Sequence, residues 1–362
     1  MVIDAGRRGR VERAVAVAAR IADPGDPLGA EARERLLAVS GLSREGIELA
    51  LTEHLETSPS REEIDALLES SGGAPGERGA RRCHVVIAAN VCTSALRAVA
   101  VALAVSPEVF VRPSSRDPVL AELLARELGA DAEFRAAGGS IELTGELHVE
   151  AGDELHVYGS DQTVEALRRA ASPGVVVRGH GTGLGIAVIG ASVDERSAAR
   201  AVARDVIPFD QRGCLSPRAA LVEGDVARAV AFGRALHEEL LASPIARGEL
   251  DAGARGEFLR YRGTLEAVGH FWEGEHHAVG VDPEPRALLL PPAARVVHVA
   301  PASVEVAPGL LDPWVRYLTA VGADDDGPLV RSIRACAPNA RLSRLGAMQR
   351  PPFDGPVDRR PR

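Results

Sequence analysis

The chain has 362 residues, 46% hydrophobic and 26% charged, with a formal net charge of −9. That is the balance of a folded chain long enough for two domains and a substantial core. The negative charge argues against a general nucleic-acid binder, and an aromatic content of only 3% argues against a platform for stacking bases.

In chain order, the N-terminal stretch reads as an amphipathic helix rather than a leader peptide. "DPGDPLGAEARERLLAVSG", "SREGIELALTEHLE" and "SPSREEIDALLESSGG" continue the helical pattern to about residue 70, with polar starts and glycine stops. "GGAPGERG", residues 72–79, reads as a linker. The texture then changes. "CHVVIAA", "EVFVRPS", "DELHVYGS", "GVVVRGHG" and "GIAVIG" read as strands. "CTSALRAVAVALAVS", "RDPVLAELLARELG", "DQTVEALRRAAS" and "DERSAARAVARDVI" read as helices. Residues 85–105 have the length of a membrane span, but Asn90, Thr93, Ser94 and Arg97 interrupt them; a buried strand running into a helix fits better. Further on, "RAALVEG", "ARVVHVA" and "SVEVAP" read as strands, and "DVARAVAFGRALHEELLAS" and "LDPWVRYLTAVG" as helices. The proline-rich tail "MQRPPFDGPVDRRPR" reads as a surface arm. Apolar strands alternating with helices predict an α/β fold built on a largely parallel sheet covered on both faces.

Three features stand at expected strand ends, where open α/β sheets place ligands. They are Arg112, Pro113 and Ser114 in "VRPSSRDP", Gly159 and Ser160 in "VYGSDQT", and the glycine run 178–188, which contains His180. "YGSDQT" combines a glycine turn with a helix start, which serves equally as an ordinary capped turn or as a phosphate cradle. The run "GHGTGLG" lacks both the GxGxxG order and a P-loop lysine. The four cysteines, Cys83, Cys92, Cys214 and Cys336, contain no CxxC pair. Neither a thiolate metal site nor a disulfide framework is expected, and a reducing, cytoplasmic setting fits. No GxSxG or HExxH pattern occurs, and the His276–His277 pair is not a zinc motif. Cys83 and Cys92 lie in apolar runs and read as core residues. Cys214, in "FDQRGCLSP", sits at a bend between Gly213 and Ser216–Pro217. It reads either as an inert buried thiol or as a nucleophile with backbone amides near it.

Taken together, "FDQRGCLSP", the tail "GAMQRPPFDGPVD" and "YLTAVG" resemble the bacterial bioluminescence-type fatty acyl-CoA reductases, a divergent branch of the aldehyde dehydrogenase superfamily; the resemblance covers most of residues 83–357. It implies an aldehyde dehydrogenase-like fold with a Rossmann-like cofactor domain and an α/β catalytic domain. The division expected is a helical region 1–75, a cofactor-binding domain 76–207, a catalytic domain 208–345 and an arm 346–362. It also implies Cys214 as the catalytic cysteine, Asn90 as an oxyanion donor, and Arg112, Pro113, Ser114, Gly159 and Ser160 as cofactor contacts. Arginine replaces the superfamily's usual lysine at 112, and its fork of donors favours the 2′-phosphate of NADPH. The segment "VVVRGHGTGLGIAV", residues 175–188, has no glutamate where the oxidising enzymes carry one; His180 aligns closest to that position. The implied reaction is reduction of an acyl-CoA, or another acyl thioester, to the aldehyde through an S-acyl cysteine, without a metal. A homo-oligomer is implied, and an acyl-transferring partner protein is compatible with it. A cysteine acyltransferase or thioesterase without nicotinamide, and a non-catalytic scaffold subunit, remain open on the residues alone.

Overall fold

The computed structural model describes residues 5–71 and 79–360. The expected linker at 72–79 therefore lies, Gly79 apart, outside the described residues. The chain separates into two compact units that divide between Thr182 and Gly183; residues 352–357 belong with the first unit and Asp358 to Arg360 with the second.

The first unit opens with four helices: α1 (Ala5–Ala22), α2 (Pro27–Val39), α3 (Arg44–Leu49), which continues as a π turn, and α4 (Arg61–Ser71). Local chemistry sets their starts. Asp26 caps α2 ahead of Pro27, Ser43 caps α3, and Ser60 and Glu63 form a reciprocal capping box at α4. There follow β1 (Cys83–Val86), α5 (Ser94–Val105), β2 (Glu108–Arg112), α6 (Val119–Ala130), α7 (Ala132–Ala136), β3 (Ser140–Leu143), β4 (Glu154–Tyr158), α8 (Asp161–Ala170) and β5 (Val176–His180). The strands make an all-parallel sheet in the order β3-β2-β1-β4-β5. The direction of crossover reverses between β1 and β4, which is the topological switch point of a Rossmann-like half.

Of the apolar run 85–105, Val85 and Val86 end β1 and Ser94–Val105 is α5, a twelve-residue helix buried from Ala95 to Val105, with α1, α4 and α6 packed on it. Its one charge, Arg97, is compensated in place. It pairs with Glu56, donates to the carbonyls of Pro352 at 2.9 Å and Gly355 at 2.8 Å, and lies 5.0 Å from the centroid of the Phe353 ring. A buried charge held this way is stable where an unpaired one would not be. No helix among the described residues is long and apolar enough to cross a membrane.

The second unit contains β6 (Leu184–Ile189), α9 (Glu195–Val206), β7 (Pro217–Glu223), α10 (Val226–Leu241), α11 (Ala252–Val268), β8 (His270–Glu273), β9 (Ala278–Val281), β10 (Val296–Ala302), α12 (Ala307–Leu311), β11 (Leu318–Gly322), α13 (Pro328–Cys336) and β12 (Arg341–Ser343). Seven strands run in the order β12-β11-β6-β7-β10-β9-β8, and every pairing is parallel except β8 with β9. The period-two alternation of strands sends Ala187, Ile189, Ala220 and Val222 to a core with α9 and α10. It sends Ile186, Val188, Ala219 and Leu221 to the opposite core with α12 and α13.

Two expected elements are corrected. "LDPWVRYLTAVG" is not one helix: after a short 3-10 turn, Leu318–Gly322 is β11, a strand between β6 and β12. Its whole length is buried between two strands, so sheet pairing overrides the helical reading. "SVEVAP" is not a strand. The Ser303 carbonyl accepts from Val306 and Ala307, turning the chain into α12 with Pro308 in its first turn. Among its described residues the tail has no strand, as expected, but it is not a surface strip. Met348 is 0% and Phe353 2% exposed, and buried Asp205 accepts from the amides of Gly346 at 2.6 Å and Met348 at 2.8 Å.

Candidate active site

In the first unit, the sequence-predicted residues gather at the carboxyl ends of the parallel strands. Asn90 follows β1 and is exposed. Arg112 closes β2, and Pro113 and Ser114 form the turn after it, where the Ser114 hydroxyl accepts from the Arg116 amide at 3.2 Å. The Arg112 side chain is exposed and makes no hydrogen bond or ion pair among the described residues. Gly159 follows β4, and the Ser160 hydroxyl caps α8 by accepting from the Thr163 amide at 3.2 Å. His180 closes β5; its ring stacks on Tyr158 with centroids 4.5 Å apart, and its carbonyl accepts from the Gly159 amide. This edge presents an uncommitted guanidinium beside a switch point and a helix N-terminus, a donor set able to hold a phosphate-bearing dinucleotide.

Cys214 lies in the second unit, at the amino ends of its strands. Gly183 precedes β6, Cys214 precedes β7, Thr319 is the second residue of β11, and Arg341 begins β12. The thiol sits in a tight turn closed by the Ser216 amide donating to the Gly213 carbonyl at 3.1 Å, and is half-buried. The preceding backbone is strained. Phe209, Asp210 and Gln211 have φ of 54°, 52° and 63°, a left-handed region that non-glycine residues occupy at a cost of order 1–2 kcal/mol each.

Two buried side chains hold that conformation. The Gln211 amide donates to the carbonyls of Pro217 at 2.7 Å and Val296 at 2.8 Å, and its oxygen accepts from the Val296 amide at 2.9 Å. One side chain thus ties the cysteine loop to the starts of β7 and β10. The Asp210 carboxylate accepts from Arg295 at 2.8 and 2.9 Å and from the Gly248 amide at 3.0 Å; Asp210 and Arg295 are each 2% exposed. Arg295 also donates to the carbonyls of Ile245 and Ala246.

Burial pushes the Cys214 thiol up to about 11. The Asp358 carboxylate adds to the rise, while Arg360, the cysteine's own amide and Arg341 oppose it. Burial also raises Cys83, which lies within β1 with 0% exposure and reads as core. No cluster of three or more histidine, cysteine, aspartate or glutamate side chains among the described residues could hold a metal ion.

Sequence reasoning missed Gln211, Asp210, Arg295, Thr319, Asp358 and Arg360, while Gly183 lay in the glycine run already singled out. Asp210 and Gln211 stood in the quoted cysteine segment, but nothing in a sequence announces three left-handed residues that are not glycine. Arg295 carried no local signal, because its partner Asp210 lies 85 positions away; Arg360 bonds Asp358 two residues before it, but its nearness to the cysteine turn depends on how distant segments meet.

The family model for acyl-CoA reductase (LuxC) matches residues 41–355. No curated protein matches the chain in sequence. Among solved structures, a NAD-dependent benzaldehyde dehydrogenase from Corynebacterium glutamicum is similar at a TM-score of 0.62 and 17% identity, over 92% of this chain and 80% of that one. A Mycobacterium tuberculosis aldehyde dehydrogenase complexed with NAD+ gives 0.64 and 17%, over 92% and 77%. Aldehyde dehydrogenase 21 from Physcomitrella patens, in complex with succinate, gives 0.67 and 14%, over 95% and 78%. At such identities these likenesses establish the fold: aldehyde dehydrogenase-like, with a Rossmann-like and a catalytic unit. The family match spans most of the chain and sets the chemistry at the redox interconversion of acyl thioester and aldehyde. The chain belongs to the acyl-CoA reductase (LuxC) family, a branch of the aldehyde dehydrogenase superfamily.

Proposed function

We propose that this chain reduces a fatty acyl-CoA to its aldehyde with NADPH, through an acyl group held on Cys214. The observation that carries the reading is the clamped turn. A cysteine is presented on a strained backbone that Gln211 and the buried Asp210–Arg295 pair hold in place. Strain retained by such a network belongs where a group must be held in one orientation.

In this reading the Cys214 sulfur attacks the thioester carbonyl, and the oxyanion is stabilised by backbone amides of the turn and by Asn90. The CoA thiolate leaves and a new thioester forms on Cys214. NADPH, when bound, supplies the hydride. Collapse of the resulting tetrahedral adduct frees the aldehyde and returns the cysteine. Arg112, Pro113, Ser114, Gly159 and Ser160 would hold the cofactor, and the Arg112 fork would suit a 2′-phosphate. The absence of a glutamate from residues 175–188 supports a thioester reductase, since the carboxylate that would activate water to hydrolyse the acyl enzyme is missing there. His180, stacked on Tyr158, is assigned to proton transfer.

The test follows nicotinamide absorbance and aldehyde formation with acyl-CoAs of graded length. Cys214→Ala abolishes both. Arg112→Ala raises the KM for NADPH about tenfold or more, the loss of one charge-assisted hydrogen-bonded contact, and leaves that for NADH nearly unchanged. Acylation of Cys214 without nicotinamide oxidation overturns the reductase reading in favour of acyl transfer. An unaltered pH–rate profile in His180→Gln removes His180 from the mechanism.

A further inference from the structure

The resting thiol is a poor nucleophile, because burial favours its protonated form. The charges beside it therefore decide how readily it ionises. Within its own unit they are Arg341, at the start of β12, and the pair Asp358 and Arg360 near the chain's end.

The pair is built as a unit. Arg360 Nε and Nη2 donate to the two oxygens of Asp358, each at 2.8 Å, and Nη1 donates to the Arg316 carbonyl at 2.7 Å. The two side chains are 8% and 6% exposed, so this is not a solvated surface pair. Gly183 shows where the fork points. A Cβ placed there would lie 3.0 Å from the Cys214 Cβ, 3.2 Å from Arg360 Nη2 and 2.1 Å from Thr319 Oγ1. Arg360 Nη2 is thus within about 6 Å of the Cys214 Cβ, near enough for its charge to favour ionisation of the thiol.

We propose that Arg360, oriented by Asp358, is a positioning cation that stabilises the Cys214 thiolate, and that Asp358 attenuates it. This rests on Cys214 being the nucleophile and adds a residue beyond position 355, where the family match ends. Arginine suits the role because its planar fork can bond Asp358 and the Arg316 carbonyl while presenting positive charge to its surroundings. Asp358 acts in two ways at once: its oxygens fix the fork, and its charge opposes ionisation of the thiol.

The two members of one ion pair therefore have opposite effects, which a purely structural pair would not. The experiment is the pH dependence of Cys214 alkylation by iodoacetamide in the full-length protein, without substrate. Mass spectrometry separates Cys214 from Cys83, Cys92 and Cys336. Arg360→Ala is expected to raise the alkylation midpoint by about one unit or more, and Asp358→Asn to lower it by a similar amount. Arg360→Lys is expected to fall between wild type and Arg360→Ala, keeping the charge but losing the fork. Shifts of the same sign in the alanine and asparagine variants, or no shift in either, overturn the proposal. If Arg360→Ala does not fold, Asp358→Asn decides alone: an unmoved or raised midpoint overturns it. Because no turnover is involved, failure to reduce acyl-CoA would count against the proposed function and leave this inference standing.

Discussion

The clearest consequence of the structure is that the Gln211 side chain ties the Cys214 turn to the starts of two strands. Replacing it with alanine removes the acceptor of the Val296 amide and the donor to the carbonyls of Pro217 and Val296, all in a region 1% exposed at Gln211. A buried donor left without a partner costs about 1–3 kcal/mol, and an orphaned carbonyl, with a second lone pair, rather less. The left-handed φ of 63° remains, so alanine gains no relief of strain. A loss of about 2–4 kcal/mol is expected. Urea unfolding, read as a lowered midpoint at constant slope, measures it. Gln211→Asn, one methylene shorter, cannot reach both strands and should recover less than half. Iodoacetamide labelling of Cys214 should also rise at low urea, as the turn opens before the sheet does. A destabilisation below about 0.5 kcal/mol, or full recovery by asparagine, would refute the view that this amide clamps the loop.

Gly183→Ala is expected to damage the same region by overpacking. The new methyl group would stand 2.1 Å from Thr319 Oγ1, and Thr319 is 1% exposed in β11 with little room to yield. A cost of about 1–3 kcal/mol and slowed Cys214 alkylation should follow, and Thr319→Ala in the same chain should restore part of both. For pH, burial pushes His298 and His277 down to about 4 from the ordinary 6.5. Unfolding lets each bind a proton that the native state refuses. Their contribution is therefore fully present above pH 6.5 and is lost as pH falls through 4. The urea midpoint should drop between pH 7 and pH 5, and His298→Leu, which removes a ring bonded to the Tyr261 hydroxyl at 3.0 Å, should flatten that drop; an undiminished drop would exonerate His298.

Much of the architecture was legible from local pattern. The capping residues of α2, α3 and α4, the apolar run of α5 and the alternation of β6 and β7 each express a preference that acts over a few residues. The strands hardest to read were short. "SIEL" in β3 and "RLS" in β12 are edge strands of four and three residues, too brief for a periodicity to declare itself. "LTAVG" reads as helix because it follows a turn that is itself helical, and only its two neighbours in the sheet make it β11.

The candidate site divides along the same line. Cys214, Arg112, Gly159, Ser160 and His180 lay in segments whose glycines, strand ends and helix starts mark them in the sequence itself. The sequence by itself determined which residue types stand in those turns, and hence the chemistry each turn can perform. Only the tertiary structure decided what surrounds the thiol. Gln211 meets β10 across 85 positions, Asp210 finds Arg295 across the same span, and Arg360 returns to Arg316 across 44. Hydrogen bonds and charges act through space over a few ångströms, so partners this far apart in the chain become neighbours only when the sheet has paired and the tail has docked.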